Sequence, residues 1–337
     1  MPLQDQGMDP ASLDPASLYI DLLKLAVSEA LRPTLSALVS APSERPVRGA
    51  RVTSWLRYGG QRLLSLKGYE LARRIDIPPT FMTDGVYVSG VPFSGETMIG
   101  LKRLDNVRDC VESVLEDQVP GDFIETGVWR GGCAIFMRGI LAAHGVADKQ
   151  VWLADSFSGV PAPDTARYPL DRFSDLHNQV GLAVSREDVE ANFRRYGLLD
   201  DQVCFIEGWF EQTLPTLAGH RWSLMRLDGD LYQSTMEALV NLYPGLSPGG
   251  YCIVDDYGTY PACRQAVEDY RAKQKIDEPI VDIDGSGAFW RRTAVPAVGG
   301  LGSLHGAEEP RREVAVCNGT RLERAAPATP AGPRTSC

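Results

Sequence analysis

Asp122-Phe123-Ile124-Glu125-Thr126-Gly127-Val128-Trp129-Arg130-Gly131-Gly132 reads as a strand, a glycine-bearing turn and the first residues of a helix. Glycines at such a turn let backbone approach a ligand closely, and the helix that follows presents unpaired N–H groups. The dinucleotide fingerprint G-x-G-x-x-G is absent, because Val128 and Trp129 follow Gly127. Glu125 lies on the approach to the turn. A carboxylate there would repel a pyrophosphate but not a ligand with a cationic centre and an ammonium group. That preference favours S-adenosylmethionine over a nicotinamide cofactor; the competing reading is an ordinary strand-to-helix turn with no ligand.

Outward from this segment the same alternation continues. Strand patterns recur at 151–156 (VWLADS), 202–208 (QVCFIEG), 223–229 (SLMRLDG) and 250–256 (GYCIVDD), with a closing pair at 279–284 and 287–292. Helical patterns fill the gaps at 133–144, 234–243 and 263–274, and Ser185 with Asp188 has capping-box spacing ahead of VEANFRRYG. Short apolar runs separated by helices predict an α/β protein whose parallel sheet is covered on both faces. Only Gly285-Ser286 separates the last two runs, so they are expected to form an antiparallel hairpin at the sheet edge.

The ends of these strands carry the chemistry. Asp155 closes the second strand and is placed to accept both hydroxyl hydrogens of a ribose, or to cap a helix. Trp209, after Glu207-Gly208, reads either as a shelter for an adenine ring or as a core residue. The fourth strand delivers Asp228-Gly229-Asp230 and the fifth Asp255-Asp256. Adjacent parallel strands bring their carboxyl ends to one edge, where four carboxylates would repel each other unless a cation or protonation intervened. Oxygen ligands without His or Cys suit a hard ion, magnesium above all. Such an ion would chelate two vicinal oxygens of an acceptor and acidify the attacking hydroxyl, while a further carboxylate or a histidine takes the proton.

Composition narrows the field of partners. Among 337 residues, 34 Lys plus Arg face 44 Asp plus Glu, a net charge of −10, which counts against a nucleic-acid or anionic-membrane partner. No apolar run is long enough to cross a bilayer, the first residues do not read as a secretion signal, and the seven scattered cysteines form no C-x-x-C and argue against a disulfide framework. A cytoplasmic protein is expected. Residues 1–94 read as an N-terminal helical or lid region, with an amphipathic helix over 18–40 on which Leu18, Leu22, Leu25 and Val27 recur near helical spacing while Asp21, Lys24 and Glu29 can face water. It is expected to serve dimer contact and active-site closure; the competing reading is a helix packed only within its own subunit. The S-adenosylmethionine-binding α/β domain would span 95–293, and 294–337 have a composition expected to be disordered.

Taken in order, TMIGLKRLDNVRDCVESVL (97–115), IETGVWRGG (124–132), ADSFSGVP (154–161), LMRLDGDLYQST (224–235), LSPGG (246–250), IVDDYG (253–258) and AFWRR (288–292) resemble the macrocin O-methyltransferase family. The resemblance covers about 17–33 and 95–293. It implies a Rossmann-like class I methyltransferase fold with a seven-stranded, mostly parallel sheet, a C-terminal antiparallel hairpin and N-terminal helices. It also implies dependence on S-adenosylmethionine and Mg2+ and methylation of sugar hydroxyls on antibiotics. Carried over residue by residue, the metal ligands fall on Asp228, Asp255 and Asp256, and the candidate base on Asp230. The cofactor residues fall on Thr97, Met98, Glu125, Gly127, Gly131, Asp155, Ser156 and Asp228. Family members tend to be homodimers. The segments 41–96 and 158–185 depart from the family pattern, which leaves the acceptor open and makes His177 a second candidate base. Two alternatives stand beside this expectation: methylation of a catechol-like phenolic diol, and a noncatalytic nucleoside-binding scaffold.

Overall fold

A computed structural model describes residues 14–28, 30, 34–38, 72–76 and 95–293. Seven strands form the central sheet: β3 (Asp122–Thr126), β4 (Val151–Asp155), β5 (Val203–Glu207), β6 (Trp222–Leu227), β7 (Leu246–Val254), β8 (Val281–Asp282) and β9 (Ala288–Arg291), in spatial order β5-β4-β3-β6-β7-β9-β8. The first five in that order are parallel, and the last two add antiparallel. This is the Rossmann-like class I methyltransferase sheet with its C-terminal hairpin. The hairpin loop is longer than Gly285-Ser286, because β8 stops at Asp282 and the Asp282 and Asp284 carboxylates organise the turn by accepting backbone amides.

The strands are apolar on both faces because both faces are covered. Phe123, Val151, Leu153, Val203 and Ile253 belong to one core, while Ile124, Trp152, Cys204, Met225 and Cys252 belong to the other. Alternation along each strand therefore feeds two layers. The first core packs under α1 (Pro15–Val27), α2 (Leu101–Glu116), α3 (Gly132–Ala143) and α4 (Arg186–Arg195); the second lies under α5 (Tyr232–Leu242) and α6 (Pro261–Gln274). Ser185 caps α4 by accepting from the Asp188 amide at 3.2 Å, as its spacing predicts.

The N-terminal expectation needs correction. α1 ends at Val27, and Thr34–Leu38 is a strand, β1, paired antiparallel with β2 (Ala72–Asp76). Pro33 in the sequence disfavours helix at the residue before it. The buried face of α1 is Ile20, Leu23 and Val27, whereas Leu18 and Leu22 are 46% and 57% exposed. Leu23 sits over Gly139 of α3, where an added Cβ would lie 2.0 Å from its Cδ2. Any larger residue at 139 would have to displace the Leu23 side chain from this contact. Lys24 is not turned to water: its Nζ donates to Asp105 of α2 at 2.5 Å.

Cys110, Cys133, Cys252 and Cys263 are free and buried, as small apolar fillers of the two cores. Among the described residues no helix is long and apolar enough to cross a membrane. The expectation for residues 294–337, and most of that for 31–94, lies outside the described residues.

Candidate active site

The parallel ladder continues one residue past the strand ends and fixes the site's register. The amides of Gly127, Asp228 and Asp255 donate to Ala154, Thr126 and Leu227 at 3.0, 2.9 and 2.9 Å, and Gly208 donates to Asp155 at 2.9 Å. Each functional side chain at this edge thus hangs from a backbone atom held by the neighbouring strand.

Gly127, Asp155, Ser156, Trp209, Asp228, Asp230 and His177 line one cavity of 680 Å³. That size and its mixed lining suit a nucleoside-sized ligand together with a second small molecule. Gly127 has φ +77°, and a Cβ there would lie 1.8 Å from the Asp228 carbonyl oxygen. The turn therefore needs glycine because of the adjacent strand end. Asp155 faces the cavity and caps no helix; it accepts from the turn amides of Val128 at 2.7 Å and Phe157 at 2.8 Å. Burial raises its pKa against the pull of these amides. Trp209 is a wall residue, 36% exposed, and not part of the core.

Oxygen atoms of Asp228, Asp255 and Asp256 lie within 4.8 Å of one another. Beneath them Arg226, only 2% exposed, donates to Glu125 at 2.7 Å, Asp228 at 3.0 Å and Asp255 at 2.5 Å. Arg103 donates to the other oxygen of Asp255 at 2.5 Å. Asp230, in a left-handed conformation with φ +56°, donates its amide to Asp256 at 3.3 Å. Burial pushes Asp230 up to about 8, with Asp228 and Asp255 adding repulsion. Asp228 is raised to about 6 by burial and Asp255, against Arg226, and burial with the three neighbouring acids raises Asp256. The two guanidiniums engage Glu125, Asp228 and Asp255, so negative charge is in excess on the Asp228, Asp230 and Asp256 side. An all-oxygen donor set with surplus charge fits a hard divalent cation.

The structure brings Asp228, Asp230, Asp255 and Asp256 together, and sets His177 on the wall of the same cavity. It places four of the sequence-derived cofactor residues elsewhere. Glu125 is buried on Arg226, and burial raises it to about 7. Gly131, with φ +83°, makes room for Val189. Thr97 is buried, and with Met98 it lies off the cavity wall; the chain at Glu96–Thr97 backs the turn, since Gly132 donates to the Glu96 carbonyl at 2.9 Å. Sequence reading missed Arg226, which reads as one more residue of an apolar strand, and Asp171, whose partners lie 61 residues away.

Comparison with known proteins agrees with this geometry. The family described as "Macrocin-O-methyltransferase (TylF)" matches residues 72–292. The chain is 57% identical over 207 residues to the 8-demethyl-8-(2,3-dimethoxy-alpha-L-rhamnosyl)-tetracenomycin-C 4'-O-methyltransferase of Streptomyces olivaceus, covering 61% of this chain and 79% of the relative. It is 50% identical over 223 residues to the mycinamicin III 3''-O-methyltransferase of Micromonospora griseorubida, covering 63% and 87%. The solved structure of the O-methyltransferase NovP aligns with a TM-score of 0.67 and 42% identity, over 83% of this chain and all of that one. Fold, strand-end carboxylates and these likenesses agree: the chain belongs to the macrocin O-methyltransferase family.

Proposed function

We propose that this protein transfers the methyl group of S-adenosylmethionine to a sugar hydroxyl of a glycosylated, antibiotic-type natural product, with Mg2+ as the metal. The observation that carries the reading is one cavity lined by Gly127, Asp155, Asp228 and Asp230, with the Asp256 carboxylate set against Asp228 and the Asp230 amide behind the wall. Relatives named for methylation of a rhamnosyl 4' position and of a mycinamicin 3'' position supply the acceptor class.

In this reading Asp155 and Ser156 hold the ribose hydroxyls, Trp209 covers the adenine, and the Gly127 turn leaves room for the amino-acid end. Asp228, Asp255 and Asp256 hold the metal. When bound, the cofactor supplies an electrophilic sulfonium methyl, and the ion acidifies and orients the attacking hydroxyl. Asp230 accepts the hydroxyl proton on its carboxylate; His177, on the loop segment of the same cavity wall, is the second candidate. Much of the rate comes from alignment of the oxygen with the methyl, which the cavity walls enforce. A homodimer is part of the proposal, with exposed Leu18, Tyr19 and Leu22 of α1 as the face offered to a second copy.

Mass spectrometry of methyl transfer, run with a glycoside, its aglycone and a catechol, with Mg2+ or EDTA, tests this. A single methyl group on the sugar, lost in EDTA, is expected. Methylation of the catechol but not the glycoside, or no binding of S-adenosylhomocysteine, would overturn it.

A further inference from the structure

The segment between β4 and α4 contains no strand and no α-helix, only 3-10 turns at Pro169–Phe173, Leu176–Asn178 and Val180–Leu182. It nevertheless builds a large part of the cavity wall, including Ser158, Ala162, Asp164, Arg167, His177 and Leu182. A wall made of irregular backbone keeps its shape only where it is fastened to something rigid.

Asp171 is such a fastening. It is 1% exposed, between exposed Leu170 and Arg172. Its Oδ1 accepts from the Tyr232 amide at 2.7 Å and its Oδ2 from the Gln233 amide at 3.1 Å. These are the first two residues of α5, whose own N-cap position is Leu231, with no side chain able to cap. A helix start leaves amides unpaired and carries partial positive charge, so a carboxylate is the complementary group. Here it arrives from a distant loop. The rings of Tyr168 and Tyr232, 6.0 Å apart, add a contact at the same joint.

The joint lies between two parts of the site. On one side, α5 begins two residues after Asp230, whose left-handed backbone leads into it. On the other, His177 follows Asp171 by six residues. We propose that Asp171 is a positioning residue: its carboxylate moors the irregular wall segment to the turn that carries Asp230, so that acceptor turnover depends on it while cofactor binding does not. This rests on the methyltransferase reading of the site. A cap that served only the helix would lower stability and leave acceptor kinetics alone.

The test compares full-length wild type with Asp171→Ala and Asp171→Asn, the latter keeping the shape and one acceptor oxygen. Limited trypsin digestion at the exposed Arg172 should be about tenfold faster in Asp171→Ala, the loss expected for one cap, with Asp171→Asn between the two. The Kd of S-adenosylhomocysteine should stay within about threefold, while kcat for the glycoside falls about tenfold to a hundredfold, the scale of a misplaced reactant. Unchanged kcat and KM with faster digestion would reduce Asp171 to a helix cap and overturn the proposal, as would digestion no faster than wild type. The digestion comparison needs no acceptor, so a wild-type protein that methylates nothing would count against the proposed function alone.

Discussion

Arg226 holds Asp255 from below at 2.5 Å, leaving Asp255 the member of the carboxylate cluster gripped by two guanidiniums, since Arg103 takes its second oxygen. Asp256, one residue on, faces Asp230 instead. These neighbours should therefore fail in different ways. Asp255→Asn removes a charged partner from both guanidiniums, although Arg226 keeps Glu125 and Asp228 and Arg103 keeps Asp284, and should destabilise the metal-free protein by about 1.5–3 kcal/mol. Asp256→Asn relieves repulsion and should leave metal-free stability equal or higher while abolishing turnover. Urea denaturation in EDTA checks this, and equal losses from both variants would refute it.

The same crowding fixes the sign of a pH effect. Burial raises Asp228 to about 6, Glu125 to about 7 and Asp230 to about 8, so the folded protein keeps protons that the unfolded chain releases near pH 4. The stability contributed by these three groups is fully present below about pH 4 and is lost as pH rises through 6 to 8, while Asp200 and Glu278, held below the usual carboxylate range, act in the opposite sense at acid pH. Melting temperatures in EDTA should follow that decline, and Mg2+ should raise the melting temperature more at pH 8 than at pH 5. An equal increment at both values would remove the cluster as the ion's binding place.

Gly127 and Gly197 share a left-handed backbone, with φ +77° and +68°, but differ in surroundings. A Cβ at Gly197 meets nothing within 4 Å, so Gly197→Ala should cost only the conformational penalty of about 1–2 kcal/mol. Gly127→Ala would drive its methyl into the Asp228 carbonyl and should lose S-adenosylhomocysteine binding as well as more stability than Gly197→Ala. Calorimetric binding and melting of both variants decide the point; normal affinity in Gly127→Ala would contradict the turn geometry.

Asp230→Asn should bind Mg2+ and S-adenosylmethionine nearly normally yet turn over about 10²-fold more slowly, the usual scale for a general base. Rate–pH profiles of Asp230→Asn and His177→Ala at saturating Mg2+ separate the two candidates. If Asp230→Asn keeps most of its rate and His177→Ala loses nearly all, the base belongs to the wall segment.

The strands and the acid pairs were readable because each occupies a short contiguous run, and strand ends in a parallel sheet must share an edge. Asp228 and Asp255 are brought together by that rule alone. α1 was readable as a helix, but not which of its stripes packs on its own subunit. Leu18, Leu22 and Leu25 make one stripe at helical spacing, Ile20, Leu23 and Val27 make another, and only the partner surface on α3 decides between them. Glu125 was assigned to a ligand because its counter-charge, Arg226, lies on a different strand. Asp171 gave no signal at all, since a carboxylate that caps a helix from a remote loop leaves no local pattern.

The Asp171 attachment also bears on how such enzymes diversify. Its receiving end is two main-chain amides, which any residues other than proline would provide, and its donating end is a single acid. If Asp171 moors the stretch from Ser158 to Ser185 as proposed, an exchanged loop without an acid at that position would leave the two amides at the start of α5 unpaired, whatever acceptor contacts it brought.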